Sequence, residues 1–252
     1  MTDASDSKPL SGRLALVTGA SRGIGRSTAQ ALAKAGAHVI AAARTQGALE
    51  ELDDEIKAAT GESATLTPFD ITDGEAIDRL GGALWERFKR LDVVVHCAGR
   101  AGTITPVSHM SPKDFDAVIA TNLTSTYRLI RSFEPLLRAS DSGRFIMLSS
   151  GVAVKTYPFF GAYSASKAGV EALIRCWAVE VDTTPLRTAI VSPGPMRTKM
   201  RAEAFPGEDP MTLPHPDEIG PLIVELARGD REPPKETVQF AEWKAAHGAP
   251  VH

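Results

Sequence analysis

Short apolar runs alternate along the chain with longer stretches in which apolar residues recur every three or four positions. The short runs predict strands at residues 13–18, 38–43, 63–69, 91–96, 144–148 and 186–191. The longer stretches predict helices, among them residues 46–60, 112–138 and 163–181. Residues 217–227 predict one more short helix and residues 237–243 a last strand.

The predicted strands are apolar on both faces, which is typical of a parallel sheet covered by helices on both sides. The fold class is therefore predicted to be α/β. Residues 1–11 are expected to form a flexible tail, and residues 12–252 a single domain, because no linker or internal repeat divides them.

Charge and composition exclude several classes of function. The net charge is −3 and no block of basic residues occurs, which argues against a nucleic-acid binder or a binder of anionic membranes. Cys97 and Cys176 are the only cysteines, too few for a disulfide framework or a Cys-based metal cluster, and no metal site is predicted. Without a signal-peptide pattern or an apolar run of ~18 residues, a cytoplasmic protein is expected.

A glycine-rich turn joins the first predicted strand to the first predicted helix. Its glycines are Gly19, Gly23 and Gly25, a spacing that differs from the G-x-G-x-x-G fingerprint. Turns at this place in α/β folds bind dinucleotides, because glycines allow close approach and the helix N-terminus presents N–H groups to the pyrophosphate. A turn without a ligand is the alternative interpretation.

The end of the second predicted strand bears on the choice of cofactor. An acidic residue there would hold the ribose 2′-hydroxyl of NAD, but the strand ends in Ala43 and Arg44. Arg44, together with Arg22 in the glycine turn, can instead pair with the 2′-phosphate of NADP. Two ordinary solvated arginines are the alternative. The missing carboxylate favours NADP(H) over NAD(H).

Tyr163 and Lys167 are four residues apart and share one face of the predicted helix. A phenol titrates near pH ~10, and a fixed ammonium group beside it lowers its pKa. This pair therefore has the chemistry of a tuned acid. Taken alone, the spacing more often belongs to an exposed pair without function.

Together, Thr18-Gly-Ala-Ser-Arg-Gly-Ile-Gly25, Ser149-Ser150 and Tyr163-x-x-x-Lys167 resemble the motifs of the short-chain dehydrogenase/reductase family. The resemblance extends over about residues 12–230. It implies a single doubly wound Rossmann sheet of seven parallel strands, a nicotinamide cofactor, and hydride transfer to or from a carbonyl–alcohol pair.

The resemblance also implies a role for each matching residue. Tyr163 would be the general acid/base, and Lys167 would hold the nicotinamide ribose and lower the pKa of Tyr163. Ser150 would bind the substrate oxygen, while Ser149 would face the other side of the strand. Asn122 would bend its helix and hold a water that passes protons to Lys167. The implied cofactor contacts are Gly19, Ser21, Arg22, Gly23, Ile24, Gly25, Arg44, Asp70, Ile71, Ala98, Gly99, Tyr163, Lys167, Pro193, Gly194 and Thr198.

The chain departs from the family at two places. His96 and Cys97 stand where many relatives carry two asparagines, and both are expected to be structural. The C-terminus lacks the Gly-Gly turn that helps some relatives form tetramers. The helices at about 112–138 and 163–181 are the family's usual dimer surface, so a homodimer or homotetramer is expected.

The substrate is expected to be a small apolar or aromatic carbonyl compound, because Tyr157-Pro-Phe-Phe160 lies between Ser150 and Tyr163. Residues 198–215, with three prolines and no clear periodicity, would form a mobile lid over it. Two alternatives remain at this point. One is a non-catalytic dinucleotide-binding sensor or scaffold, against which the complete Asn, Ser, Tyr and Lys set argues. The other is a dehydratase or epimerase.

Overall fold

Seven parallel strands form one sheet in the computed structural model, which describes residues 8–248. The strands are β1 Leu14–Thr18, β2 His38–Ala43, β3 Thr65–Pro68, β4 Val93–His96, β5 Arg144–Leu148, β6 Arg187–Ser192 and β7 Val238–Gln239. They lie in the order β3-β2-β1-β4-β5-β6-β7. The predicted doubly wound α/β fold is therefore confirmed.

Helices cover both faces of this sheet. They are α1 Gly23–Lys34, α2 Gln46–Thr60, α3 Gly74–Phe88, α4 Pro112–Ile119, α5 Ser125–Arg138, α6 Gly161–Glu180, α7 Lys199–Ala204, α8 Gly220–Ala227 and α9 Phe240–His247. Successive residues of β1 enter opposite cores: Val17 packs in the core that holds Leu32, and Leu16 in the core that holds Phe133. Because both faces are buried, the strands read as continuous apolar runs. Within residues 8–248, no helix has the length and apolar character needed to cross a bilayer.

The position of β1 decides where a ligand can bind. This strand lies between β2 and β4, and it pairs in parallel with each of them. The chain order reverses at this point, so the connections after β1 and β4 lead to opposite sides of the sheet and leave a crevice at the carboxyl ends of the strands. The glycine turn after β1 and the Ala98–Gly99 segment after β4 therefore both lie at this crevice.

The predicted last strand at residues 237–243 is wrong over most of its length. Only β7 pairs with β6, and the chain then turns into α9. Phe240, Trp243 and His247 follow helical spacing: Phe240 is buried, and Trp243 stacks on both other rings. The indole N–H of Trp243 also donates to Glu225 Oε2 at 2.9 Å. These tertiary contacts outweigh the strand preference of the aromatic residues.

The N-terminal part of the chain differs from its prediction as well. Leu10 is completely buried, and its N–H donates to Ala35 O at 2.9 Å. The packed part of the protein therefore begins before residue 12, and residues 1–7 of the predicted tail lie outside the described residues.

The predicted helix at 112–138 is interrupted. α4 and α5 are joined by a π-helical turn at Ala120–Thr124, and Asn122 lies in the middle of that turn. Such bulges are frequent at functional sites because the extra residue in the turn changes the direction of a side chain.

Candidate active site

The turn after β1 is packed so closely that only glycine fits at two of its positions. Gly19 has φ +68°, and a Cβ placed on it would lie 2.8 Å from the Cα of Ala98. A Cβ on Gly25 would lie 2.2 Å from the carbonyl oxygen of Gly19. The loops after β1 and β4 thus touch at the crevice, and the backbone there can approach a ligand without obstruction by side chains.

Helix α1 starts at this turn, and no side chain caps its first N–H groups. Arg22 occupies the N-cap position and its side chain caps no backbone N–H. The helix begins at Gly23, with Ser21 and Ile24 half-buried beside it. The methyl group of Thr198 lies across from this turn, 3.4 Å from where a Cβ of Gly23 would be. The N-terminus of α1 can therefore receive an anionic group such as a phosphate.

Arg22 and Arg44 both lie at the surface near this end of the sheet. Arg44 follows β2, and its side chain is 74% exposed. Its Nη1 atom lies 3.9 Å from Asp70 Oδ2. An exposed pair at this distance contributes about 0–1 kcal/mol, so Arg44 can exchange this partner for a ligand at little cost. Asp70 is held by Thr72, whose N–H and hydroxyl donate to Oδ1 at 2.9 and 2.7 Å.

Tyr163 and Ser150 meet at the carboxyl end of β5. Tyr163 lies in the first turn of α6, where the hydroxyl group of Ser150 is near enough to its phenol to lower the pKa of that phenol. Burial nevertheless raises the pKa of Tyr163 above its ordinary value, because the nearby Ser150 hydroxyl opposes this shift only in part. Burial and Ser150 account for this shift, and the expectation that Lys167 lowers the pKa of Tyr163 stays a prediction.

Lys167 is almost completely buried beside them, with 4% of its surface exposed. Its Nζ atom donates to Leu148 O at 2.7 Å and lies 6.0 Å from the centroid of the Tyr163 ring. Burial lowers the pKa of Lys167 to about 8, and the charge of Glu171 opposes this shift. The ammonium form therefore still predominates at neutral pH.

Asn122 ties the loop after β4 to helix α6. Its Oδ1 accepts from the N–H of Arg100, and its Nδ2 donates to Arg100 O and to Ser166 Oγ, each at 2.9 Å. The hydroxyl of Ser166 donates in turn to Tyr163 O at 2.8 Å. A Cβ on Gly99 would lie 3.5 Å from Asn122 Oδ1 and 3.8 Å from Lys167 Nζ. The predicted catalytic residues thus come together around one point.

A buried histidine, expected from the sequence to be structural, supports this arrangement. His96 Nδ1 lies 2.6 Å from Thr18 Oγ1, and its Nε2 lies 3.3 Å from Ser125 Oγ. The Ser125 hydroxyl donates to Thr121 O in the π turn at 2.6 Å. Nε2–H is therefore the donor to Ser125, and Nδ1 accepts from Thr18. Burial and the charge of Lys167 lower the pKa of His96 to about 3, so the ring is neutral.

Replacing His96 by Ala is expected to lower the free energy of unfolding by about 2–3 kcal/mol, because two buried hydroxyl groups lose a partner and a cavity forms. Urea unfolding of the variant and the parent measures this difference. His96→Asn is the matched control, since an amide keeps one donor and one acceptor, and a smaller loss is expected. Equal midpoints for the Ala variant and the parent would contradict the support role.

The remaining predicted residues divide into two groups. Pro193, Gly194 and Thr198 follow β6 at the same end of the sheet, and Gly194 has φ +70° with open space on its Cβ side. Ile71 is half-buried and packs against the core that holds Phe133, and its contact with a cofactor stays a prediction. Among the described residues, no group of three or more His, Cys, Asp or Glu side chains is arranged to hold a metal.

The side chains of Ser149 and Cys97 are near these residues but are not placed to react. The hydroxyl of Ser149 is buried and donates to Glu171 Oε1 at 2.5 Å, so it faces the other side of the strand, as predicted. Burial raises the pKa of the Cys97 thiol to about 12, and its Sγ lies 4.0 Å from Thr28 Oγ1. A thiol this weakly acidic is not a nucleophile at neutral pH.

Comparison with known proteins gives consistent matches. Residues 13–209 match the family model described as short chain dehydrogenase. The chain is 36% identical over 223 residues to the oxidoreductase YciK of Escherichia coli K12, covering 88% of each chain. A short chain dehydrogenase of Shigella flexneri 2a complexed with NADP has a TM-score of 0.89 and 34% identity, over 93% of this chain and 99% of that one. A short chain dehydrogenase of Escherichia coli CFT073 complexed with NADPH has a TM-score of 0.88 and 34% identity, over 93% of this chain and 98% of that one.

Proposed function

Because the chain belongs to the short-chain dehydrogenase family, we propose that it reduces a small apolar ketone or aldehyde with NADPH and catalyses the reverse oxidation of the secondary or primary alcohol. Membership makes it an oxidoreductase that acts on CH–OH/C=O groups with a nicotinamide cofactor. The observation that carries the proposal is the meeting of Ser150, Tyr163 and Lys167 beside the glycine turn.

A nicotinamide dinucleotide fits the crevice. Gly19 and Gly25 keep side chains out of the turn, and the uncapped start of α1 suits a pyrophosphate. Lys167 and Gly99 lie where the crevice reaches Tyr163, which suits the nicotinamide ribose. When bound, the cofactor supplies or accepts the hydride.

NADP(H) is favoured over NAD(H) because two exposed arginines flank the adenosine end of the crevice. Arg44 is held only by a long contact to Asp70, and Arg22 is exposed at the start of α1. A 2′-phosphate carries nearly two negative charges and accepts charge-assisted hydrogen bonds from guanidinium groups. The NADP and NADPH bound to the two structural neighbours are consistent with this preference.

Two hydroxyl groups of the chain serve the substrate oxygen. Negative charge grows on that oxygen as hydride reaches the carbonyl carbon, so donors aimed at it lower the barrier. Tyr163 gives the proton, and Ser150 gives a second hydrogen bond. The raised pKa of Tyr163 keeps the phenol protonated at neutral pH, which suits a proton donor for reduction. Asn122 holds the π turn and α6 in register around these groups and, as the family implies, a water for proton exchange with Lys167.

Assembly is proposed through α4, α5 and α6, as a homodimer or homotetramer of a cytoplasmic enzyme. Phe115, Tyr127 and Val179 expose apolar surface on these helices. A cleft of about 440 Å³ opens between α4 and the start of α6, lined by Met110, Phe115 and Ala165 among others. Exposed apolar surface of this kind is typical of interfaces. The molar mass in solution tests this part of the proposal.

A panel of ketones and aldehydes, each mixed with the protein and NADPH, tests the proposed function. Loss of NADPH absorbance is expected with apolar carbonyl compounds and not with charged sugars or carboxylates. Tyr163→Phe protein is the matched control, because it should bind NADPH and oxidise none. No carbonyl-dependent oxidation of NADPH across the panel, or equal oxidation by the variant, would contradict the proposal.

A further inference from the structure

Phe159 has a backbone conformation that bulky residues avoid. Its φ is +72°, and the other non-glycine residue with positive φ among those described is Lys89, which ends helix α3. A left-handed residue is ordinary at a helix end, but Phe159 lies two residues before α6 begins. For a bulky side chain such a conformation costs on the order of 1–3 kcal/mol and is typical of functional sites.

Packing of the Phe159 side chain does not repay this cost. The ring is 50% exposed. The backbone, in contrast, is held firmly, since the carbonyl oxygen of Phe159 accepts from the N–H of Thr105 at 3.2 Å. A strained residue that presents an aromatic ring to solvent is explained if the ring contacts a ligand.

The next residue forms an aromatic stack with the proposed lid. The rings of Phe160 and Phe205 are 5.8 Å apart and nearly parallel, at 19°. The guanidinium carbon of Arg201 lies 3.7 Å from the centroid of the Phe205 ring. The Nε and Nη2 atoms of this guanidinium donate to Oε2 and Oε1 of Glu208 at 2.6 and 2.7 Å. Phe205, just after α7, is thus held against the segment that precedes α6.

The segment that carries Phe159 and Phe160 connects Ser150 to Tyr163 along the chain. The segment 151–160 starts directly after Ser150 and ends three residues before Tyr163, whose phenol is near the Ser150 hydroxyl. Tyr157 packs edge-on to Phe160, with centroids 6.5 Å apart. The stretch of chain that carries these rings therefore has a proposed donor at each end.

We propose that Phe159 and the Phe160–Phe205 stack form a slot for a flat aromatic ring attached directly to the substrate carbonyl. The inference rests on the proposed function and names its substrate class, an aryl ketone or aryl aldehyde. Aromatic rings prefer offset or edge-to-face contact at 4.5–7 Å, a geometry that a flexible alkyl chain does not offer. The strain at Phe159 is retained because it aims a rigid ring at the substrate.

The test compares 2-acetylnaphthalene with 2-decanone, two methyl ketones that differ in the group beside the carbonyl. The parent is expected to have the higher kcat/KM for the naphthyl ketone. Phe159→Gly should lower that value by about 10-fold or more, which is the range for one lost aromatic contact. The kcat/KM for 2-decanone should stay within about threefold of the parent value. Phe159→Gly should also raise the melting temperature by about 2–4 °C, because glycine adopts this φ without strain.

Phe159→Ala is the matched control, because it removes the ring and keeps a Cβ at positive φ. It should show the same loss with the naphthyl ketone without the gain in melting temperature. Phe205→Ala should reduce the naphthyl preference as well. An unchanged ratio of the two kcat/KM values in all three variants, or a lower melting temperature for Phe159→Gly than for Phe159→Ala, would overturn the proposal.

Failure of the proposed function is distinguishable from failure of the slot. If no ketone supports turnover that depends on Tyr163, the proposed function is wrong. Calorimetric binding of 2-acetylnaphthalene to the NADPH-loaded protein then tests the slot by itself. Weaker binding to Phe159→Gly than to the parent supports it, and equal binding to both overturns it.

Discussion

Tyr163→Phe is expected to lower kcat for ketone reduction by roughly 10²- to 10⁴-fold, the range for loss of a general acid. The substitution removes one hydroxyl group and keeps the ring, so the packing of α6 is preserved. The dissociation constant for NADPH should stay within about twofold, because a group that acts in the transition state adds little to ground-state binding. Steady-state kinetics and fluorescence titration with NADPH measure the two quantities.

Tyr127→Phe is the matched control, since Tyr127 is exposed on α5 and far along the chain from Ser150. Its kcat for ketone reduction and its dissociation constant for NADPH should match those of the parent. The pH profile adds a second criterion. Because burial raises the pKa of Tyr163, the phenol is protonated throughout the neutral range, and the rate of reduction should fall only as pH rises through this pKa. Parent-like turnover by Tyr163→Phe would refute the assigned role.

Arg44→Asp is expected to weaken NADPH binding by roughly 10- to 100-fold, which corresponds to the loss of one charge-assisted hydrogen bond of about 1.5–3 kcal/mol. The new carboxylate should also tighten NADH binding, because it can accept from the ribose 2′-hydroxyl. The preference of the parent for NADPH should therefore narrow or reverse. Titration of the parent and of Arg44→Asp, each with NADPH and with NADH, gives the four dissociation constants.

Arg79→Asp provides the same change of charge on α3, at another exposed arginine paired with acidic neighbours. It separates a local contact from a general effect of net charge, and its NADPH affinity should match that of the parent. The NADPH preference should also weaken as salt concentration rises, because ions screen exposed charges. Equal affinity of the parent for NADPH and NADH would exclude the proposed role of Arg44.

The sheet could be predicted from sequence because its strands are buried on both faces. His38-Val-Ile-Ala-Ala-Ala43 is apolar after its first residue, and β2 covers that run. Helix α9 could not be predicted, because Phe240 and Trp243 have strand preferences. The helix is held by the hydrogen bond from Trp243 to Glu225, 18 residues away. Local preference decides such a segment only where tertiary contacts are weak.

The site was predictable where a motif carries the residues and not where distant segments meet. Tyr163 and Lys167 are separated by one helical turn, so their proximity follows from the helix alone. The His96 network depends on contacts across 78 and 29 residues. The direction of the Tyr163 pKa shift is set by burial, a property of the whole fold. The φ of Phe159 likewise has no signature in the sequence.

Transfer of deuterium tests the central claim most directly. The parent protein and Tyr163→Phe are each given 2-acetylnaphthalene and NADPH that carries deuterium at the transferable position of its nicotinamide ring, and the alcohol is analysed by mass spectrometry. The parent should form alcohol with one deuterium on the carbinol carbon, and the variant should form almost none. Alcohol without deuterium, or equal amounts of labelled alcohol from both proteins, would contradict hydride transfer with Tyr163 as the proton donor.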